Sequence, residues 1–218
     1  RMPPVINVVD QFIAKFKTKF PNSPVPVHLY HQQLPVGNGY MKLARHFHFA
    51  LNEIFVEKGF ARVIILEDDL EIAPDFFDYF HAMAPILDND DTVMAISAWN
   101  DNGFDQYTTD PSAVVRSDFF PGLGWMLNKR LWDEWGPKWP KGYWDDWLRE
   151  PPQRKNRVTL RPEVSRTFTF GKKGVSHAQF YSKFLGRIAL NHEIVDWSKE
   201  DFSYLKKEEY DKHLQDAV

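Results

Sequence analysis

Val63-Ile64-Ile65-Leu66-Glu67-Asp68-Asp69 decides the fold, because a β-branched run stops abruptly at three acids. An apolar run of this kind reads as a strand covered on both faces. In open α/β sheets ligands collect outside the carboxyl ends of strands, so these acids stand where a substrate binds. Hard oxygen donors there suit Mg²⁺ or Mn²⁺ held jointly with substrate phosphates, since such ions keep water and take few protein ligands. An acidic triplet also occurs as a plain solvated turn, and the triplet alone leaves both readings open.

Upstream, Val5, Val8, Val9, Phe12, Ile13 and Phe16 recur at helical spacing, predicting a helix from Val5 to Phe20 with Lys15, Lys17 and Lys19 near its end. Pro21 to Pro24 breaks it. Val25, Val27 and Leu29 then alternate as a short strand does, at a sheet edge because of Pro26. Tyr40 to Phe55 is again helical through Leu43, Phe47, Leu51 and Ile54. Downstream, Pro74 suits the first position of a helix, with Asp75 and Asp78 in its early turns and Phe76, Phe77, Phe80, Met83 and Ala84 on the buried side. Val93 to Ser97 is the next strand. This alternation predicts an α/β fold with a Rossmann-like layer. Beyond Trp99, short segments rich in Trp, Pro and Gly predict an irregular region whose loops carry function.

Composition narrows the function classes. The 218 residues suffice for one sizeable core, and a hydrophobic share of 43% with 26% charged residues is that of a globular protein. No apolar run approaches the ~18 residues of a membrane span. A net charge of −3 argues against a nucleic-acid partner. The absence of cysteine removes zinc-thiolate sites, thiol nucleophiles and disulfides, yet it leaves the compartment open. Arg1-Met2-Pro3-Pro4 carries no signal-like pattern, so a targeting or anchoring element is expected to lie outside this chain if one exists. Aromatic residues reach 16%, with eight tryptophans and eight tyrosines, and such rings fill cores or stack on sugars.

A second acidic site lies in Gly142-Tyr143-Trp144-Asp145-Asp146-Trp147, where large rings wall a pair of aspartates. Desolvation by rings raises a carboxylate toward the range of a general base, whereas an aspartate here could equally cap a helix from Trp147 to Glu150. Taken together, a metal-anchoring cluster and a separate base form the minimum set for displacing a metal-bound diphosphate. Single displacement inverts the attacked carbon and needs no enzyme nucleophile. Gly171-Lys172-Lys173-Gly174, within Ser165 to Gln179, has the make-up of a segment that folds over phosphates, but it lacks the Walker spacing. Arg116, Arg161 and Arg166 are further candidates for pyrophosphate. His46 and His48, two apart on a helix, cannot share a face, and His177 has no partner at ligand spacing. All three read as hydrogen-bonded structural histidines.

Long blocks carry a family resemblance: Glu67-Asp68-Asp69-Leu70-Glu71, Ala73-Pro74-Asp75-Phe76-Phe77, Ser97-Ala98-Trp99-Asn100-Asp101-Asn102-Gly103, Asp118 to Trp125, Trp144-Asp145-Asp146-Trp147, Arg161-Pro162-Glu163, Ser165-Arg166-Thr167 and Phe170 to His177. Across Gly39 to Tyr210 the chain resembles the N-acetylglucosaminyltransferase I family. The resemblance implies a single GT-A domain over 1–218, with residues 1–103 as the nucleotide- and metal-binding part and 104–218 as the acceptor side with a donor-covering loop. It implies an inverting transfer of GlcNAc from UDP-GlcNAc, with Mn²⁺, to the 2-position of an α1,3-linked mannose on a high-mannose N-glycan of glycoproteins. By motif, Asp69 would hold the metal, Asp68 would reach the ribose, Glu67 the donor sugar and His46 the uridine. Asp145 would be the base. Leu123, Tyr143, Trp144 and Leu185 would shape the sugar pocket, with Ser176 on the covering loop. The family's first strand-helix-strand, which completes the uridine site, is expected to be missing here, as are its small C-terminal region and the Golgi type II membrane anchor. A fragment or a shortened relative would each fit. Other readings stay open: a non-catalytic carbohydrate-binding relative, the related O-mannose β1,2-N-acetylglucosaminyltransferase, and a two-metal phosphoesterase.

Overall fold

The computed structural model describes residues 3–23, 28–30, 32, 36–172, 174, 175 and 181–216. They form two compact units, Arg1–Leu34 and Pro35–Val218. The first holds helix α1 (Pro3–Lys19), as the periodicity predicts, with Lys17 and Lys19 in its last turn where cations oppose the dipole. The heart of the strand expected at Val25 to Leu29 lies outside the described residues.

The second unit begins with α2 (Gly39–Asn52), which starts where the Asn38 side chain accepts the Met41 amide at 3.0 Å. Ala44, Phe47 and Leu51 form its buried stripe. The expected continuation toward Phe55 is a π-helical turn, Glu53–Glu57, that buries Phe55. Then follow β1 (Arg62–Ile65), β2 (Leu70–Ile72), α3 (Phe76–Asn89), β3 (Val93–Ser97), β4 (Val114–Ser117), β5 (Trp125–Asn128) and α4 (Lys129–Trp135). The chain continues through α5 (Trp144–Arg149), α6 (Pro151–Arg154), β6 (Val158–Pro162), β7 (Thr167–Thr169) and α7 (Lys207–Asp216). No helix among the described residues is long and apolar enough to cross a membrane.

Five strands form one sheet in the order β1-β5-β3-β6-β4, while β2 and β7 make a separate ladder. The fold is mixed α/β. The layer is not the parallel one that the front-half alternation predicts, since only β3 and β6 run parallel and the other pairings are antiparallel. The cause is β5, four buried residues from the back half of the chain that slot between β1 and β3. In consequence β1 is an edge strand, half-exposed rather than covered on both faces. β3 is buried throughout and lies under Tyr79, Phe80, Met83 and Leu87 of α3. The same sheet therefore takes strands from both sides of residue 103.

One buried ion pair joins the chain leaving β2 to the chain entering β7. Asp75 and Arg166 are both fully buried, and Arg166 Nη2 donates to Asp75 Oδ2 at 3.0 Å while Nε lies 3.3 Å from each oxygen. Asn191 Nδ2 at 3.1 Å and the Trp197 indole at 2.9 Å complete the carboxylate's shell. Asp75 thus spends its side chain on Arg166 rather than on the first turn of α3, which starts at Phe76, two residues after Pro74. Arg166 also leaves the list of pyrophosphate ligands. Removing one member of such a pair strands a buried charge, at a cost of about 3–5 kcal/mol. Arg166→Met is expected to lower urea stability by that amount, and adding Asp75→Asn should restore a good part of it.

Candidate active site

The acidic triplet leaves β1 where Ile65 faces Trp125 of β5, and it enters β2, whose partner is β7. Leu70 pairs with Thr169, and the Phe170 amide donates to the Asp69 carbonyl at 3.0 Å. Glu67 and Asp69 are half-buried, whereas Asp68 is exposed. Burial, then the charges of Asp69, Asp68 and Asp145, push the Glu67 carboxyl up to about 7. The charge of Asp145 therefore reaches the triplet from a helix more than seventy residues away in sequence.

That helix, α5, begins at Trp144 rather than at Trp147. Tyr143 precedes it in the left-handed region, φ 51° and ψ 48°, and no side chain caps the turn. Asp145 and Asp146 consequently occupy the first turn, where the dipole favours anions. The rings do not enclose Asp145 in the way the local sequence suggests. Trp144 turns inward, stacked between Trp125 at 5.6 Å and Trp139 at 5.9 Å and packed on Phe47 at 4.2 Å. Trp147 packs on Trp139. The Asp145 side chain stays 42% exposed, so the desolvated carboxyl of the site is Glu67. Tyr143 is exposed and stacks on Tyr40, in the first turn of α2, at 4.4 Å.

Arg149 is the partner that the motif reading missed. Its Nη1 lies 3.4 Å from Asp145 Oδ2 and 2.7 Å from Asp146 Oδ1, its Nε donates to the Phe120 carbonyl at 2.9 Å, and its guanidinium covers the Phe119 ring at 4.5 Å. The spacing of four from Asp145 to Arg149 was the available signal.

Leu123 sits in a run of left-handed residues, with φ values of 72° at Gly122, 53° at Leu123 and 90° at Gly124. Hydrogen bonds hold this bend from three sides. Ser97 Oγ donates to the Gly122 carbonyl at 3.0 Å, the Ala98 amide to that of Gly124 at 2.7 Å, and Thr167 Oγ1 to that of Leu123 at 2.6 Å. Leu185 opens a 3₁₀ turn packed against β7, so it shares that strand with the Leu123 bend. Val175 meets the start of α2 at Gly39. His46 is on the exposed side of α2, the helix whose first turn meets Tyr143. Ser176 and His177 lie outside the described residues.

The other candidates have structural duties. Arg116 donates to Asp90 at 3.0 Å and to the Leu205 carbonyl at 2.6 Å, and is not a pyrophosphate ligand. Arg161, on β6, is half-buried, and burial holds its guanidinium below the usual arginine range. His48 lies 3.2 Å from the Gly136 carbonyl, a structural contact as expected.

Among the described residues no group of three or more His, Asp or Glu side chains forms a preformed cage for an ion. What the triplet offers is oxygen donors in a strongly negative setting, which fits a hard divalent ion completed by phosphate and water.

Comparison with known proteins adds two findings. The model described as the GNT-I family matches residues 11–218. An Arabidopsis thaliana protein named alpha-1,3-mannosyl-glycoprotein 2-beta-N-acetylglucosaminyltransferase is 55% identical over 179 residues, a match that takes in 82% of this chain and 40% of that protein. The chain thus spans about 40% of the length of this relative.

The bend at Leu123 depends on Gly124, where a Cβ would stand 2.7 Å from Thr167 Cγ2 on a backbone of φ 90°. Thr167 is buried and tied by its hydroxyl, so it cannot give way. Gly124→Ala is expected to cost more than about 2 kcal/mol in thermal unfolding. In a Thr167→Ala background the steric part should vanish, leaving a penalty of about 1 kcal/mol for the positive φ.

Proposed function

The chain belongs to the GNT-I family, and from that premise we propose that it is the catalytic part of an inverting GT-A glycosyltransferase. The donor is UDP-GlcNAc, and GlcNAc passes to the 2-position of an α1,3-linked mannose on a high-mannose glycoprotein glycan. The setting is the Golgi lumen, behind a type II anchor. The observation that carries this reading is geometric: Ile65, at the mouth of the acidic triplet, pairs with Trp125, and Trp125 stacks at 5.6 Å on Trp144 beside Asp145, so two acidic sites far apart in sequence are fastened to one indole. The printed name of the Arabidopsis relative supports the sugar, the linkage and the acceptor.

In this reading Asp145 accepts the proton of the attacking mannose hydroxyl, whose oxygen bonds to C1 of GlcNAc as the bond from C1 to the phosphate oxygen breaks. UDP leaves, and the α-linked donor becomes a β-linked product. Arg149 orients Asp145 from one helical turn away. Glu67, poised near 7, can give or accept a hydrogen bond at a donor hydroxyl, and Asp68, on the exposed side, faces the ribose. Tyr143, Leu123 and Leu185 wall the sugar, while Trp144, expected there from the motif, is buried in the core and fixes the start of α5. Asp69 would hold Mn²⁺, which when bound offsets the charge gathering on the diphosphate.

Asp145→Asn is expected to lower transfer by about 10²–10⁴-fold while Mn²⁺-dependent UDP binding stays close to wild type. Asp69→Ala should lose that binding in calorimetry. Equal transfer by wild type and the Asp145 variant would remove the base from the scheme.

A further inference from the structure

Two glycines bracket the basic segment that follows β7, and their surroundings differ. A Cβ built on Gly174 meets no atom within 4 Å, whereas one built on Gly171 would stand 1.8 Å from Asp69 Oδ2 and 2.8 Å from its Cγ. Neither backbone is left-handed, so the requirement at position 171 is for space and not for conformation. The carboxylate occupies the place where a side chain at 171 would begin. Next to this contact, the Phe170 amide is bonded to the Asp69 carbonyl, and the β2–β7 ladder runs on from it. The segment touches down again at Val175, whose Cγ atoms would lie 2.9 Å from a Cβ at Gly39. A bare backbone at 171 therefore leaves room for Asp69, and another at 39 leaves room for Val175.

We propose that Gly171 is a positioning residue for the metal-binding carboxylate. With no side chain at 171, the chain leaving β7 closes on one oxygen of Asp69, so the carboxylate and the segment from Phe170 take their places together. The inference rests on the reading of Asp69 as the metal ligand. Asp69 already lies over the bare backbone of Gly171, a position that a Cβ there would exclude, so one carboxylate oxygen is set against the segment and the other stays available to a cation. By linkage, an ion bound with a nucleoside diphosphate at Asp69 favours the contacts of Phe170 and Gly171 with that residue by the factor by which those contacts favour the ion. Any side chain at 171 must displace either Asp69 or the start of the segment.

The test is binding of Mn²⁺ in the presence of UDP, followed by the loss of the free-ion electron paramagnetic resonance signal in wild type, Gly171→Ala and Asp69→Asn. The account expects Asp69→Asn to abolish binding and Gly171→Ala to weaken it at least tenfold. Wild-type affinity in Gly171→Ala, with binding lost in Asp69→Asn, would overturn the role of Gly171 and leave the metal ligand standing. Unchanged binding in Asp69→Asn would instead overturn the reading on which it rests. Hydrogen exchange of the Phe170 amide in the unmodified protein needs no variant to fold. Mn²⁺ with UDP should slow it at least tenfold, and no change would contradict the coupling.

Discussion

The buried pair of Asp75 and Arg166 is the constraint on which the site depends. It stands at the junction of three pieces of chain: the end of β2, the start of β7 and the irregular segment that carries Asn191 and Trp197. Arg166 adds main-chain ties, its amide donating to Ala98 and its carbonyl accepting from Ala73. Such a pair adds little net stability over a well-packed apolar substitute, because each charge must shed its water. Its effect is geometric. It clamps the end of the β2–β7 ladder, at whose other end Gly171 lies against Asp69.

On the opposite side the constraint is aromatic. Ile65, the last residue of β1, pairs with Trp125, and Trp125 stacks on Trp144 at the head of α5. The strand that delivers the acidic triplet and the helix that delivers Asp145 are therefore fastened to one indole. Burying Trp144 costs Asp145 its aromatic cover, and the desolvation falls on Glu67 instead. Truncating a buried tryptophan typically costs about 3–5 kcal/mol, which makes this stack as consequential for the fold as for the site.

The sequence was most legible where a local period sufficed. The helices at α1 and α2 and the strand Val93 to Ser97 stand within a few residues of where their spacing put them. What escaped was non-local. β5 is too short to carry a period, and nothing near Trp125 announces that it will part β1 from β3. Asp75 looked like a helix-start acid and Arg166 like a phosphate ligand, since each has the right residue type and the wrong neighbours until the chain folds. The acidic triplet and Asp145 were visible as motifs, but their mutual approach was not, and Gly171 was legible only as part of a glycine-bounded, phosphate-covering segment with nothing to link it to Asp69. Arg149 alone among the missed residues had a local signature, its spacing from Asp145.

The account stands or falls on the shared space between the triplet and Asp145. Its most direct measurement is the titration of the Glu67 carboxyl, read from its ¹³C resonance in metal-free protein with and without Asp145→Asn. The account predicts a wild-type midpoint of about 7 that falls when the Asp145 charge is removed. A Glu67 midpoint in the ordinary carboxylate range, or one indifferent to Asp145, would contradict it.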